Sequence, residues 1–199
     1  MVLVIENQSW KILKEKPYFT TGDVALAAGI TEASAHVLCS RYATRGIFVK
    51  LKKNFYVLEQ NWERYALQDF FRLANFIQVP SYISCMSALS FYGVTTQVQQ
   101  GWIESIALKR SVRFEARGNV FSYYKIKKEY YSGFEKKEHF FIAFKEKAFI
   151  DTAYLSSFGK YPMDVSSIDT ECLDKTLIKR MIEPYPPRTQ KRVRELCRI

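Results

Sequence analysis

Side chains that can recognise a nucleic-acid base occur at helical spacing in residues 32–44. Ala35, Leu38 and Tyr42 form an apolar side of this segment, which predicts a buried face. Six residues remain on the outer side: Glu32, Ala33, His36, Val37, Ser40 and Arg41. In a DNA major groove a carboxylate accepts from cytosine, an imidazole bonds a purine, and a small apolar side chain contacts the thymine methyl group. The pattern predicts a base-reading helix, with a solvated face as the alternative for His36.

Three lysines follow at a predicted turn. Apolar residues 47–51 and 55–58 flank this turn, which is typical of a β-hairpin. At the tip of such a hairpin, Lys50, Lys52 and Lys53 would contact phosphates. The alternative is a solvated turn whose lysines protect the strand edge.

Three helices must position these side chains. The predicted helices cover residues 7–16, 21–28 and 32–44. Thr20 and Asp23 form a capping box at the start of the second helix, and Thr31 caps the third. We include Thr21 and Thr31, at the two helix starts, among the candidate DNA-binding residues. Three helices followed by a basic hairpin is the order of a winged helix-turn-helix domain, and an ordinary helical hairpin is the alternative.

The overall charge favours a polyanionic partner. The 199 residues include 30 Lys and Arg against 20 Asp and Glu, a net charge of +10, and nucleic acid is the leading candidate. The start of the chain resembles no signal peptide, and no apolar run is long enough to cross a bilayer, so we expect a cytoplasmic protein without a membrane partner.

Catalytic and metal-binding motifs are missing from the sequence. The two histidines and four cysteines show no zinc-ligand spacing, so we expect no metal, no disulfide and four isolated buried thiols. No phosphate-binding glycine loop or nucleophile motif occurs either. We therefore expect a binding protein without a cofactor rather than an enzyme.

The second half of the chain predicts a mixed domain. A connecting helix is expected over residues 61–79, followed by an α/β domain over residues 80–199, with the winged helix domain at 1–60. The fold class is therefore α+β. Predicted strands cover residues 103–108, 112–115 and 120–126. Glu146, Lys147 and Asp151 are interpreted as a surface ion-pair cluster, because their spacing places them close together on a helix.

Two strings in this half resemble a known family. They are Tyr82-Ile83-Ser84-x-x-Ser87-Ala88-Leu89-x-x-Tyr92-Gly93-Val94 and Ile142-Ala143-Phe144-Lys145-Glu146-Lys147-Ala148-Phe149-Ile150-Asp151. After an N-terminal winged helix, this arrangement resembles the AbiEi family of antitoxins from type IV toxin–antitoxin systems, over roughly residues 8–160. Wings of that family often carry Gly before the tyrosine, where this chain has Asn54-Phe55.

The resemblance implies a phage-defence antitoxin that represses its own operon and opposes a nucleotidyltransferase-like toxin. Its implied partners are double-stranded operator DNA and, without a direct complex being assumed, the toxin. A homodimer or cooperative binding on DNA is compatible with this. The alternative is a stand-alone winged-helix regulator whose C-terminal domain senses a ligand or partner. An enzyme of nucleotide chemistry would need a paired Asp motif, which the sequence lacks. An RNA-binding module would prefer single strands.

Overall fold

The computed structural model describes residues 8–97 and 99–199 and shows a mixed α+β protein, as the sequence predicts. The predicted start of the first helix at Asn7 lies outside the described residues. The helices are α1 (Gln8–Glu15), α2 (Thr21–Ala28), α3 (Glu32–Thr44), α4 (Glu59–Trp62), α5 (Leu67–Ile77), α6 (Cys85–Phe91), α7 (Lys145–Ser157), α8 (Lys175–Met181) and α9 (Pro187–Cys197). The strands are β1 (Phe48–Lys52), β2 (Phe55–Leu58), β3 (Ser81–Ile83), β4 (Trp102–Ala107), β5 (Val112–Ala116), β6 (Asn119–Lys125), β7 (Phe134–Lys137) and β8 (Phe140–Ala143).

The chain forms two compact units. The first contains the residues up to Leu73 together with Phe114–Gly118, and the second contains Ala74–Arg113 and Asn119–Ile199. The single connecting helix expected over residues 61–79 is wrong. Residues 63–66 separate α4 from α5, where the Asp69 carboxylate accepts the Ala66 N–H and starts a new helix.

The first unit packs α1, α2 and α3 against the antiparallel β1–β2 hairpin. Its core consists of Leu13, Phe19, Val24, Ala35, Cys39, Tyr42, Phe48, Tyr56 and Leu58. Phe19, between α1 and α2, pairs with Tyr56 through two backbone hydrogen bonds of 2.8 and 2.9 Å, which adds a short third strand to the hairpin. This bridge ties the start of α2 to the strands that follow α3.

The second unit is built on the strands β6, β4, β3, β8 and β7, which are neighbours in this order in a mixed sheet. The β3–β8 and β4–β6 pairs are parallel, whereas β3–β4 and β7–β8 are antiparallel. Helix α7 follows β8 directly and is buried along nearly its whole length, as expected for the central helix of the unit. The three predicted strands correspond to β4, β5 and β6 within about one residue at each end.

The expectation of four buried thiols is wrong at one position. Cys39, Cys85 and Cys197 are buried, but Cys172 is exposed in the short 3₁₀ turn before α8. Its thiol donates to the carboxylate of Asp169 at 2.9 Å. Within residues 8–97 and 99–199, no helix combines the length and apolar character needed to cross a membrane.

Candidate nucleic-acid interface

Local sequence signals fix both ends of the turn between α2 and α3. Gly29 adopts φ 64°, a left-handed conformation that glycine reaches without steric cost, and this allows Ile30 N–H to bond the Ala25 carbonyl at 3.1 Å. Two residues later, the Thr31 hydroxyl accepts the Ser34 N–H at 3.2 Å and caps α3. The turn therefore has a cap on both sides, and the one at Thr31 is as predicted.

The outer face of α3 is open to solvent. Ala35, Cys39 and Tyr42 are buried on the inner side of this helix. All six predicted outer residues, together with Thr31, are exposed: Glu32, Ala33, His36, Val37, Ser40 and Arg41. The side chain of Val37 is 68% exposed, although it is apolar. A 13-residue helix is about 20 Å long, so this face offers an uninterrupted stripe of mixed chemistry.

The role expected for Thr21 is wrong, because its side chain is fully buried. Its N–H and its hydroxyl both donate to Oδ1 of Asn54, each at 2.7 Å. Thr21 therefore attaches the first turn of α2 to the hairpin instead of facing a ligand. We remove it from the candidate set.

Asn54 is the residue of this interface that sequence reasoning missed. It adopts φ 56° at the hairpin turn, and asparagine is among the side chains that tolerate this left-handed conformation best. Its side chain makes two hydrogen bonds to Thr21 that a glycine at this turn could not make. The available sequence signal was an asparagine at a predicted turn.

The hairpin lysines differ in their surroundings. Lys50 and Lys53 are exposed, whereas Lys52 is half-buried with its ammonium 5.3 Å from the centre of the Phe55 ring. That ring stacks on Tyr18 at 4.2 Å. A register shift between Lys50 and Lys52 kinks β1 just before the turn. The structure thus places the hairpin turn against Tyr18 and the start of α2 within one compact unit.

A charged capping box supports α2. The Asp23 carboxylate accepts the Thr20 N–H at 2.8 Å, and Asp23 N–H bonds the Thr20 hydroxyl at 3.2 Å. Lys16 forms an ion pair with the same carboxylate. Partial burial opposes ionisation of Asp23, but these hydrogen bonds and the lysine outweigh it and lower the pKa of the carboxyl.

Residues of the two strings in the second half of the chain form a buried polar cluster. The surface ion pair expected there is therefore wrong. Asp151 is fully buried and accepts hydrogen bonds from Ser84 Oγ at 2.8 Å and Tyr82 Oη at 3.0 Å. Its third partner is Lys147, 1% exposed, with its ammonium 5.5 Å from the Tyr82 ring centre and 5.8 Å from that of Tyr185. Burial raises the pKa of Asp151 and lowers that of Lys147.

A second buried carboxylate holds the start of α6. Glu104, in the middle of β4, accepts the Met86 N–H at 3.0 Å and the Tyr161 hydroxyl at 2.8 Å. Ser87 completes this junction, since its hydroxyl accepts the Glu104 N–H at 2.9 Å and donates to the Trp102 carbonyl. Burial raises the pKa of Glu104 despite these donors. The only sequence signal for this residue was an acid within an apolar strand.

These buried groups join the two family-like strings to each other. Tyr82 and Ser84 come from the first string, while Lys147 and Asp151 come from the second. Ser84 occupies the position before α6, and its hydroxyl bonds Asp151 rather than capping the helix. In the part of the chain that the structure describes, no three His, Cys, Asp or Glu side chains form a metal-ligand group. No family model and no curated protein matches the sequence.

Proposed function

We propose that the first unit is a winged helix-turn-helix domain that binds double-stranded DNA, with α3 in the major groove and the β1–β2 hairpin on the phosphate backbone. The observation that carries this proposal is the exposed outer face of α3, beside a core that holds its inner side. The Phe19–Tyr56 bridge supports it, because it places the hairpin against the start of α2. An exposed recognition helix and a braced hairpin are what such a domain needs.

The positions of the charged residues support separate roles for the hairpin and for α3. Lys50, Lys53 and the partly buried Lys52 would neutralise phosphates, a contact that gives affinity without sequence preference. Glu32, His36 and Val37 lie on the N-terminal and central part of α3, which faces base edges in this docking mode. Arg41 lies further along the helix and would bind the backbone.

We further propose that the protein is an antitoxin of the AbiEi type that acts in the cytoplasm, represses its own operon and opposes a nucleotidyltransferase-like toxin. What supports this is the resemblance of the two strings, together with the contact between them at Asp151. The residues that carry the resemblance therefore include residues that are buried in the core of the second unit. The antitoxin role needs no stable complex with the toxin.

The DNA-binding proposal is tested by fluorescence anisotropy with the duplex upstream of the gene, at several salt concentrations. The double variant Lys52→Ala, Lys53→Ala should reduce the slope of log K against log salt by about 2, since each phosphate contact contributes about 0.9. A matched variant, Lys127→Ala with Lys128→Ala, removes the same charge from exposed residues of the second unit and should leave the slope nearly unchanged.

Variants of α3 should instead change sequence preference. His36→Ala should reduce discrimination between the operator and a scrambled duplex by about 1–3 kcal/mol, if His36 contacts a base. An unchanged salt slope in the hairpin variant, together with equal binding to both duplexes by the wild type, would refute the docking mode. The antitoxin role has its own assay: growth of cells expressing the adjoining gene, with and without this protein.

The stand-alone regulator is the second candidate, and one observation favours it. The second unit contains a cavity that is lined by aromatic side chains and open to solvent.

A further inference from the structure

An aromatic cavity of about 300 Å³ lies in the second unit, beside the β7–β8 hairpin. Its aromatic walls are Phe76, Tyr131, Phe134 and Phe141. The rings meet edge to face, with 5.1 Å between the centres of Tyr131 and Phe134 and 6.1 Å between those of Phe134 and Phe141. Phe141 is 41% exposed and Val79, at the rim, is 55% exposed, so the cavity is open to solvent.

The size of the cavity selects a small ligand. An apolar cavity of about 150 Å³ is enough to hold a benzene molecule, whereas pockets for drug-sized ligands occupy about 300–1,000 Å³. The space therefore fits one planar ring system with its substituents at the mouth. Edge-to-face aromatic walls favour a flat aromatic guest over an aliphatic one, because ring quadrupoles pair in offset or T-shaped contacts.

Two polar groups accompany the rings. Ser81 lines the cavity, with its hydroxyl buried. His139 lines the outer part of the cavity and is exposed. Asn75, by contrast, already holds the wall in place: its Oδ1 accepts the Phe141 N–H at 2.6 Å.

The register of the hairpin adds a positive charge on the same side. Lys136 lies directly opposite Phe141, and residues facing each other across a pair of strands share one face of the sheet. Lys137 points to the other face, where its ammonium lies 5.4 Å from the Phe91 ring centre and 5.1 Å from that of Tyr92. The side of the hairpin that carries Phe141 thus also carries the exposed Lys136.

We propose that this cavity binds a small planar aromatic compound with an anionic substituent, its ring packed against the Phe134 and Phe141 side chains and its charged group at Lys136 and His139. Aromatic carboxylates and nucleoside monophosphates share this chemistry. The proposal goes beyond DNA recognition and does not depend on it, since all these residues belong to the second unit.

The test uses the full chain without DNA, titrated calorimetrically with salicylate and with adenosine monophosphate. At least one should bind with a Kd of about 1 mM or tighter, as expected for a ligand of this size. Cyclohexanecarboxylate, which has the charge but no aromatic ring, should bind at least about ten-fold more weakly. Preference between the two aromatic anions would identify the source of the ligand.

Three variants locate the site. Phe141→Ala should weaken binding about ten-fold, because it removes one aromatic wall. Lys136→Ala should weaken it about three-fold, as expected for an exposed charge contact. The matched control Lys137→Ala should bind like the wild type. Absence of binding by both aromatic anions up to about 10 mM, equal binding of cyclohexanecarboxylate, or binding unaffected by Phe141→Ala in a folded variant would each overturn the proposal.

Discussion

Replacing the buried carboxylate Asp151 with asparagine tests the most enclosed charge of the protein. The substitution Asp151→Asn keeps an oxygen at hydrogen-bonding distance from Ser84 and Tyr82, whose hydroxyls lie 2.8 and 3.0 Å from the carboxylate. With that oxygen retained, the asparagine NH2 group takes the place of the carboxylate oxygen that faces Lys147, so the ion pair is lost while the two hydroxyl bonds remain. The substitution therefore separates the ion pair from the neutral hydrogen bonds at one site.

The magnitude follows from the burial of both partners. Lys147 and Asp151 have 1% and 0% of their side-chain surface exposed, so water cannot compensate the ammonium once its partner is neutral. Removing one partner of a buried pair typically costs about 3–5 kcal/mol. That is a large part of the total stability of a domain, about 5–15 kcal/mol. The double variant Lys147→Met, Asp151→Asn should recover at least about 2 kcal/mol, since no unpaired charge remains.

Urea denaturation followed by circular dichroism gives these free energies of unfolding. The matched control is Glu171→Gln, which breaks an ion pair of the same i,i+4 spacing with Lys175 at 3.0 Å. That pair has 73% and 36% of its side-chain surface exposed, so its loss should cost less than about 1 kcal/mol. Equal effects of Asp151→Asn and Glu171→Gln, or a double variant no more stable than Asp151→Asn, would refute this reasoning.

Two further predictions concern the capping box and the thiols. The lowered pKa of Asp23 means that its ionised form stabilises the fold above about pH 4. This contribution is lost as the pH falls through the pKa that Asp23 has in the folded protein. In urea melts at several pH values, Asp23→Asn should therefore make the free energy of unfolding depend less on pH in the acidic range. An unchanged pH dependence of the free energy of unfolding would contradict the role of Asp23. Cys172 should be the one thiol that reacts with Ellman's reagent before unfolding, whereas Cys39 and Cys197 are buried with pKa values raised to about 11 and Cys85 is buried as well. Rapid native reaction of a second thiol would contradict this.

Local signals were sufficient for helix α3. Its start and its faces depend on residues a few positions apart, so Thr31 and the spacing of Ala35, Leu38 and Tyr42 already indicate where it begins and which side is buried, although Leu38 is only partly buried and Cys39 completes the buried side. The exposed set on this helix could therefore be predicted residue by residue. Thr21 could not, because its burial depends on Asn54, 33 residues away in the chain.

The second unit shows the opposite case. The spacing of Lys147 and Asp151 is that of an ordinary surface pair, and nothing within α7 distinguishes a surface pair from a buried one. Their burial comes from Tyr82, Tyr185 and other residues remote in sequence, which exclude water and supply the remaining hydrogen bonds. The connecting segment was mispredicted for a related reason, since the aromatic contacts of Trp62 with Tyr65 and Phe70 accompany the break between α4 and α5.

The sequence by itself determined the α+β class, the first three helices and the hairpin after them, the positive charge and the outer face of α3, because short-range spacing and composition decide each of these. The tertiary structure alone decided which charges are buried, which hydroxyls are occupied and where aromatic side chains leave a cavity. Burial and hydrogen bonding depend on the distance between atoms from separate elements, and the spacing of residues along one element carries no information about that distance.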